Sequence, residues 1–307
     1  MISFSHVYKT YNGPVHALKD INIDIKKGDY VFLTGPSGAG KTTLFKLLSA
    51  YDKPTSGRVQ VAGYDLDQIS ASEVPLFRRK IGVVFQDSTL DSKMTIDENL
   101  KMHCVFYHVP KKEVEERIQF VLSLVDLLAE RKKLVGALSG GMKRRVEIAR
   151  GLIHYPKVLF LDEPTTGLDP QTRAHIWEYI VKLQKERNIT IFLTTHYMEE
   201  AEICNKIAIM DGGVIVAHDT PYALKKQFTK DKAYITTKNE VELEQLLKQY
   251  ELSYIKKDGY YKVDAEKINP LLQVLSLQKD VITDIEIKKG TFNDVFLEIT
   301  GKKIREE

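Results

Sequence analysis

The run GPSGAGKT, Gly35 to Thr42, has the G-x-x-x-x-G-K-T spacing of a loop that wraps phosphate. Backbone N–H groups have to approach phosphate oxygens at distances a Cβ would obstruct, hence the glycines. Gly35, Pro36, Ser37, Gly38, Ala39, Gly40, Lys41, Thr42 and Thr43 form the expected nucleotide-binding run. Lys41 would reach the β- and γ-phosphates, and the Thr42 hydroxyl would ligate Mg²⁺. Further along, KVLFLDEPTTGLDP places Asp162 at the end of an apolar run, where a strand delivers a carboxylate to the ligand edge of a parallel sheet. Asp162 can join the Mg²⁺ shell, and Glu163 can orient or deprotonate a water attacking the γ-phosphate. Gln86 follows KIGVVF and His196 follows ITIFLTT, so both would emerge at the same edge. Gln86 then reads as a sensor of Mg²⁺ and the attacking water, and His196 as a γ-phosphate contact.

A second anion site is written at LSGGMKRR, Leu138 to Arg145. Ser139, Gly140 and Gly141 open a helix whose N-terminus carries about half a positive charge, a suitable cover for an exposed γ-phosphate face. A helical insert carries this loop away from the core that holds Lys41. The expected solution is a second copy of the chain arranged head to tail, so that each site takes Lys41, Asp162 and Glu163 from one copy and Ser139 from the other.

These residues need an α/β scaffold. In residues 1–218, β-rich runs such as YVFLT, KIGVVF, VLFLD and ITIFLTT alternate with helical stretches, the pattern of a mainly parallel sheet covered by helices. From about residue 87 to 150 the apolar spacing is helical, with no strand between. Residues 219–307 form a second domain that reads strand-helix-strand-strand-helix-strand, the split βαβ, ferredoxin-like plan. A last helix is expected in GTFNDVFLEITGKKI, with Thr291 or Asn293 near its start.

Composition excludes several classes. The 307 residues carry a formal charge of +3, which gives no case for a nucleic-acid partner. FRRK and KRR read as solvated helix faces. Cys104 and Cys204 lie far apart, so neither a disulfide framework nor a thiolate metal site is supported. The start, MISFSHVYKT, has no charged-then-apolar leader, and no apolar stretch reaches the ~20 residues that span a bilayer.

LSGGM, LDEPTTGLD and TTHYMEEAE, in this order after GPSGAGKT and Gln86, resemble the nucleotide-binding subunit of an ABC transporter over roughly residues 2 to 218. Within that family GGMKRRVEIARGLIHYPKVLFLDEPTTGLDPQTR is similar to ATPases of multidrug and antibiotic exporters. The resemblance implies an ATPase at the cytoplasmic face of the membrane that energises separate permease subunits, with ATP and Mg²⁺ as ligands. It implies that Tyr11 stacks on adenine, with Tyr8 the competing choice, that Ser139, Gly140 and Gly141 are the signature loop, and that Asp169 lies in the loop signalling between sites. Met142 departs from the glutamine common in the family, so any contact made by that amide is lost. Non-transport ABC ATPases of translation and DNA repair are the alternative; one cassette and no sustained heptads speak against them.

Overall fold

The computed structural model describes residues 1–11, 13, 15–195, 197–265 and 268–301. The chain divides into two units, Met1–Thr220 and Pro221–Glu307.

The first unit holds two sheets. One is antiparallel: β1 (Ile2–Thr10), β2 (His16–Ile25), β4 (Ser56–Val61) and β5 (Tyr64–Asp65), in the order β2-β1-β4-β5. The other contains β3 (Tyr30–Thr34), β6 (Ile81–Val84), β7 (Val158–Asp162), β8 (Thr190–Thr194), β9 (Lys206–Asp211) and β10 (Val214–Asp219), in the order β10-β9-β3-β8-β7-β6. Only the β9–β10 pair in it is antiparallel. Strands β3 and β8 are buried at every position, which is why they read as unbroken apolar runs. The parallel sheet matches expectation; the antiparallel one is additional. Its signal was present as alternation, since Leu18, Ile21, Ile23 and Ile25 are buried along β2. That face packs into one core with Val31, Leu33, Phe160 and the inward side of helix α1 (Lys41–Leu48), through Leu44, Leu47 and Leu48.

Helix α2 (Val74–Arg78) precedes β6. The insert then contributes α3 (Ile96–Phe106), α4 (Val114–Leu124) and α5 (Gly140–Leu152). Thr95 caps α3 through a capping box with Glu98. In the first turn of α3, Asp97 is buried against Arg131 at 2.6 Å, Lys101 at 2.9 Å and Lys132 at 3.1 Å. Its backbone N–H also donates to the Arg131 carbonyl at 2.9 Å, so this carboxylate pins the segment that leads to Ser139. Burial opposes its charge, but the bonds from Lys101, Arg131 and Lys132 outweigh burial and hold its pKa far below the usual carboxylate range. A carboxyl whose folded pKa is depressed contributes stability fully above its unfolded pKa, near 4, and loses that contribution as pH falls toward the folded value. Asp97→Asn should therefore cost about 3 kcal/mol at pH 7 and clearly less at pH 3, read from urea unfolding at both pH values.

Helix α6 (Pro170–Arg187) lies between β7 and β8 in the chain. Among the described residues, no helix is long and apolar enough to cross a membrane.

The second unit comprises α7 (Pro221–Phe228), β11 (Lys232–Thr237), α8 (Glu240–Gln249), β12 (Tyr254–Lys257), β13 (Tyr260–Asp264), α9 (Ile268–Leu277), β14 (Ile282–Lys288) and α10 (Phe292–Thr300). Its sheet is antiparallel in the order β12-β13-β11-β14, the ferredoxin-like arrangement expected from the sequence. Ala233, Ile235, Tyr261 and Val263 form one core with Leu243 and Leu247 of α8 and Leu271 and Val274 of α9. Thr291 caps α10, with Asp294 completing a capping box.

Candidate nucleotide site

Strands β3, β6, β7 and β8 run parallel, so their C-terminal ends share one edge of the sheet. Residues 35–40 leave β3 there and turn into α1. Gly38 and Gly40 have φ of 78° and 106°, in the left-handed region that side chains avoid. A Cβ on Gly40 would also sit 2.7 Å from the Ala17 carbonyl oxygen, so the start of α1 cannot take a larger residue. The Lys41 ammonium curls over this loop and donates to the carbonyls of Gly35 at 2.6 Å and Pro36 at 3.1 Å. Burial lowers its pKa, against the opposing pull of the Glu163 and Asp162 carboxylates. Lys41, Asp162 and Glu163 thus share one electrostatic site, as their sequence positions imply. Ser37, Gly38 and Thr42 are exposed, and Ala39 is buried beneath the loop.

Asp162 ends β7 and accepts a 2.5 Å hydrogen bond from the Thr194 hydroxyl at the end of β8. Burial, assisted by the neighbouring Glu163 charge, raises its pKa. Hard oxygen donors at Thr42 and Asp162, with the Gln86 amide, suit Mg²⁺. Glu163 has φ of 44°, unusual for a residue with a side chain. Its backbone N–H donates to the Thr194 carbonyl at 3.0 Å and to the Thr194 hydroxyl at 3.2 Å, and its carboxylate accepts from Thr166 at 3.1 Å. Thr194 therefore orders both acidic residues. Thr194, absent from the expected site, is the last residue of β8, two positions before His196. Gln86 is exposed two residues beyond β6. His196 lies outside the described residues.

Ser139 caps α5 and accepts from the Met142 N–H at 3.3 Å. A Cβ on Gly140 would meet nothing within 4 Å, whereas one on Gly141 would lie 2.8 Å from Thr172. The signature loop is thus open on one side and packed on the other against the start of α6. There Asp169 caps the helix, accepting from the Thr172 N–H at 2.9 Å and its hydroxyl at 2.6 Å. Those bonds, the hydroxyl's foremost, lower the Asp169 pKa. Tyr11 is 38% exposed and Tyr8 40%, so exposure does not separate the two adenine candidates. The Tyr11 hydroxyl donates to Asp52 at 3.0 Å, and the Lys9 ammonium lies 5.0 Å from its ring centre.

The KRR cluster does not form the solvated face expected of it. Arg144 is only 9% exposed, and its guanidinium donates to main-chain carbonyls at both the β6 and the β7 ends of the site.

A family profile described as ABC transporter matches residues 18–166. Methionine import ATP-binding protein MetN 1 of Listeria monocytogenes is 32% identical over 99% of this chain and 94% of its own length. A protein of the same name from Bacillus anthracis is 40% identical over 76% of this chain and 67% of its own length. Among solved structures, the ATP-binding cassette MJ0796, in a dimeric post-hydrolysis state bound to ADP and Pi, is similar at 31% identity and a TM-score of 0.66, covering 72% of this chain and 98% of that one. The cbiO1 protein of Clostridium perfringens, part of the ABC transporter complex cbiONQ, is similar at 33% identity and a TM-score of 0.69, covering 74% of this chain and 90% of that one.

These relatives overturn one expectation. Similarity to drug and antibiotic exporters rested on Met142 and the basic residues after it, yet the curated relatives are named for import. The physical reason is that Arg144 and Arg145 engage the chain's own carbonyls, so these residues reflect internal packing. The phosphate loop, the acidic pair at the sheet edge and similarity to a relative along almost the whole sequence lead to one conclusion: the chain belongs to the ATP-binding, ATP-hydrolysing subunits of the ABC transporter family.

Proposed function

We propose that this chain energises uptake of a small solute, methionine or a close chemical relative, by a separate membrane permease to which it binds peripherally. The observation that carries this reading is similarity to the Listeria import protein over 99% of the chain, both units included. Residues 35–43 hold the ATP phosphates, with Lys41 on the β- and γ-phosphates, and Tyr11 stacks on adenine. Thr42, Asp162 and Gln86 would hold Mg²⁺, which when bound would withdraw charge from the phosphates. Glu163 takes the proton of the attacking water, and His196 contacts the γ-phosphate. A second copy completes each site with its Ser139, Gly140 and Gly141, and Asp169 links the two sites. The open side of the signature loop at Gly140 supports this arrangement, as does the dimeric state named for MJ0796.

The test is uptake of radiolabelled methionine at micromolar concentration by cells lacking this chain. Uptake should fall several-fold, return with the wild-type chain and stay low with Glu163→Gln. Unchanged uptake in the deleted cells would contradict the proposal.

A further inference from the structure

Arg144, Glu147 and Arg150 stand three residues apart along α5 and so form a row on one helix face. All of them turn inward. Arg144 donates from Nε to the Pro164 carbonyl at 2.7 Å, from one terminal nitrogen to Phe85 at 2.5 Å, and from the other to Asp162 at 2.9 Å and Glu163 at 3.0 Å. Glu147 is 1% exposed and accepts from the Thr89 N–H at 2.7 Å and the Ser88 hydroxyl at 3.0 Å. Arg150 donates to the Thr89 carbonyl at 3.0 Å and to the Thr89 hydroxyl. One helix face therefore grips the loop on both sides of Gln86, and Arg144 also grips the turn that carries Glu163.

Burying a guanidinium is costly, and an apolar side chain of similar size serves packing as well or better. What an apolar side chain cannot do is hold carbonyl oxygens from two strand ends in a fixed relation. The planar fork of arginine does this, since its donors diverge at fixed angles. The Glu163 carbonyl it holds belongs to the residue with φ of 44°, whose side chain is aimed by that backbone conformation.

We propose that Arg144 is a positioning residue for hydrolysis: by tying the Phe85 carbonyl to those of Asp162, Glu163 and Pro164, it sets the Gln86 loop and the Glu163 carboxylate in register. The proposal rests on the roles given to Glu163 and Gln86 above. Arg144 hydrogen-bonds to main-chain carbonyls and pairs with the Glu147 carboxylate at 3.6 Å, so its loss should affect the chemical step and spare nucleotide binding.

Arg144→Gln and Arg144→Lys in the full chain test this, each measured for steady-state ATPase and for binding of the fluorescent analogue mant-ATP, beside Glu163→Gln. In Arg144→Gln, kcat should fall at least about tenfold while KM and the mant-ATP Kd stay within about threefold of wild type. Arg144→Lys should recover about threefold in kcat over Arg144→Gln, because an ammonium reaches only some of the carbonyls. A kcat within about twofold of wild type, or a loss of mant-ATP affinity as large as the loss of kcat, would overturn the proposal. Should Arg144→Gln not fold, Glu147→Gln, which loosens the same loop from its other side, must show the same split between kcat and affinity or the proposal fails. Wild-type turnover by Glu163→Gln would sink the general-base assignment separately, whatever the Arg144 variants do.

Discussion

Glu163→Gln should bind ATP as the wild type does and turn it over about 10²- to 10⁴-fold more slowly, the range expected on removing a general base. The amide keeps the shape of the carboxylate and can still accept the 3.1 Å bond from Thr166, so the turn should hold. The N–H of residue 163 donates to the Thr194 carbonyl and its carbonyl accepts from the Arg144 guanidinium, and both bonds are unaffected by the substitution. What is lost is the capacity to take a proton from water. ATP should then persist between two copies, giving a dimer on size-exclusion chromatography with ATP and Mg²⁺. Brisk hydrolysis by this variant would refute the assigned base.

Ser139→Arg should reduce ATPase activity at least about a hundredfold, comparable with removing a donor from a charge-stabilising site. The exposed serine caps α5, and neighbouring Gly140 opens onto free space, so the monomer can accommodate a long side chain outward. Loss of the Met142 cap should cost about 1 kcal/mol, too little to unfold a unit of this size. Two like surfaces closing over ATP would instead meet a guanidinium in a gap meant for a hydroxyl and two glycines. Binding of mant-ATP to the monomer should remain, because Lys41 and its loop are untouched. The double variant Glu163→Gln with Ser139→Arg should lose the ATP-dependent dimer, and a dimer retained in full would argue against this contact.

Features concentrated in a short stretch were legible in the sequence. Gly35 to Thr42 announces phosphate binding because the geometry demands residue types at fixed spacing within eight positions. Asp162 and Glu163 could be placed because an apolar strand delivers them to a sheet edge. The second unit was legible from the order of its elements, and its central strands β11 and β13 alternate buried with more exposed residues, as Ala233 and Ile235 do on β11. Arg144 was illegible because its partners are carbonyl oxygens of Phe85 and Pro164, groups every residue carries and no residue type signals. Thr194 was hidden by its surroundings, a hydroxyl ending a run that reads as buried strand. Transport direction is not legible near the signature loop, because that motif serves ATP chemistry and does not describe the membrane subunit.

The shared site is tested most directly by mixing two inactive variants, Lys41→Ala and Ser139→Arg. In a head-to-tail dimer of one copy of each, one site combines both defects, while the other pairs an intact Lys41 with an intact Ser139. With random pairing, about half of the dimers are mixed and hold one good site each, so the mixture should recover about a quarter of wild-type ATPase activity. If each chain completed its own site, every site in the mixture would carry a defect. Activity no greater than that of the two variants measured apart would then contradict the account.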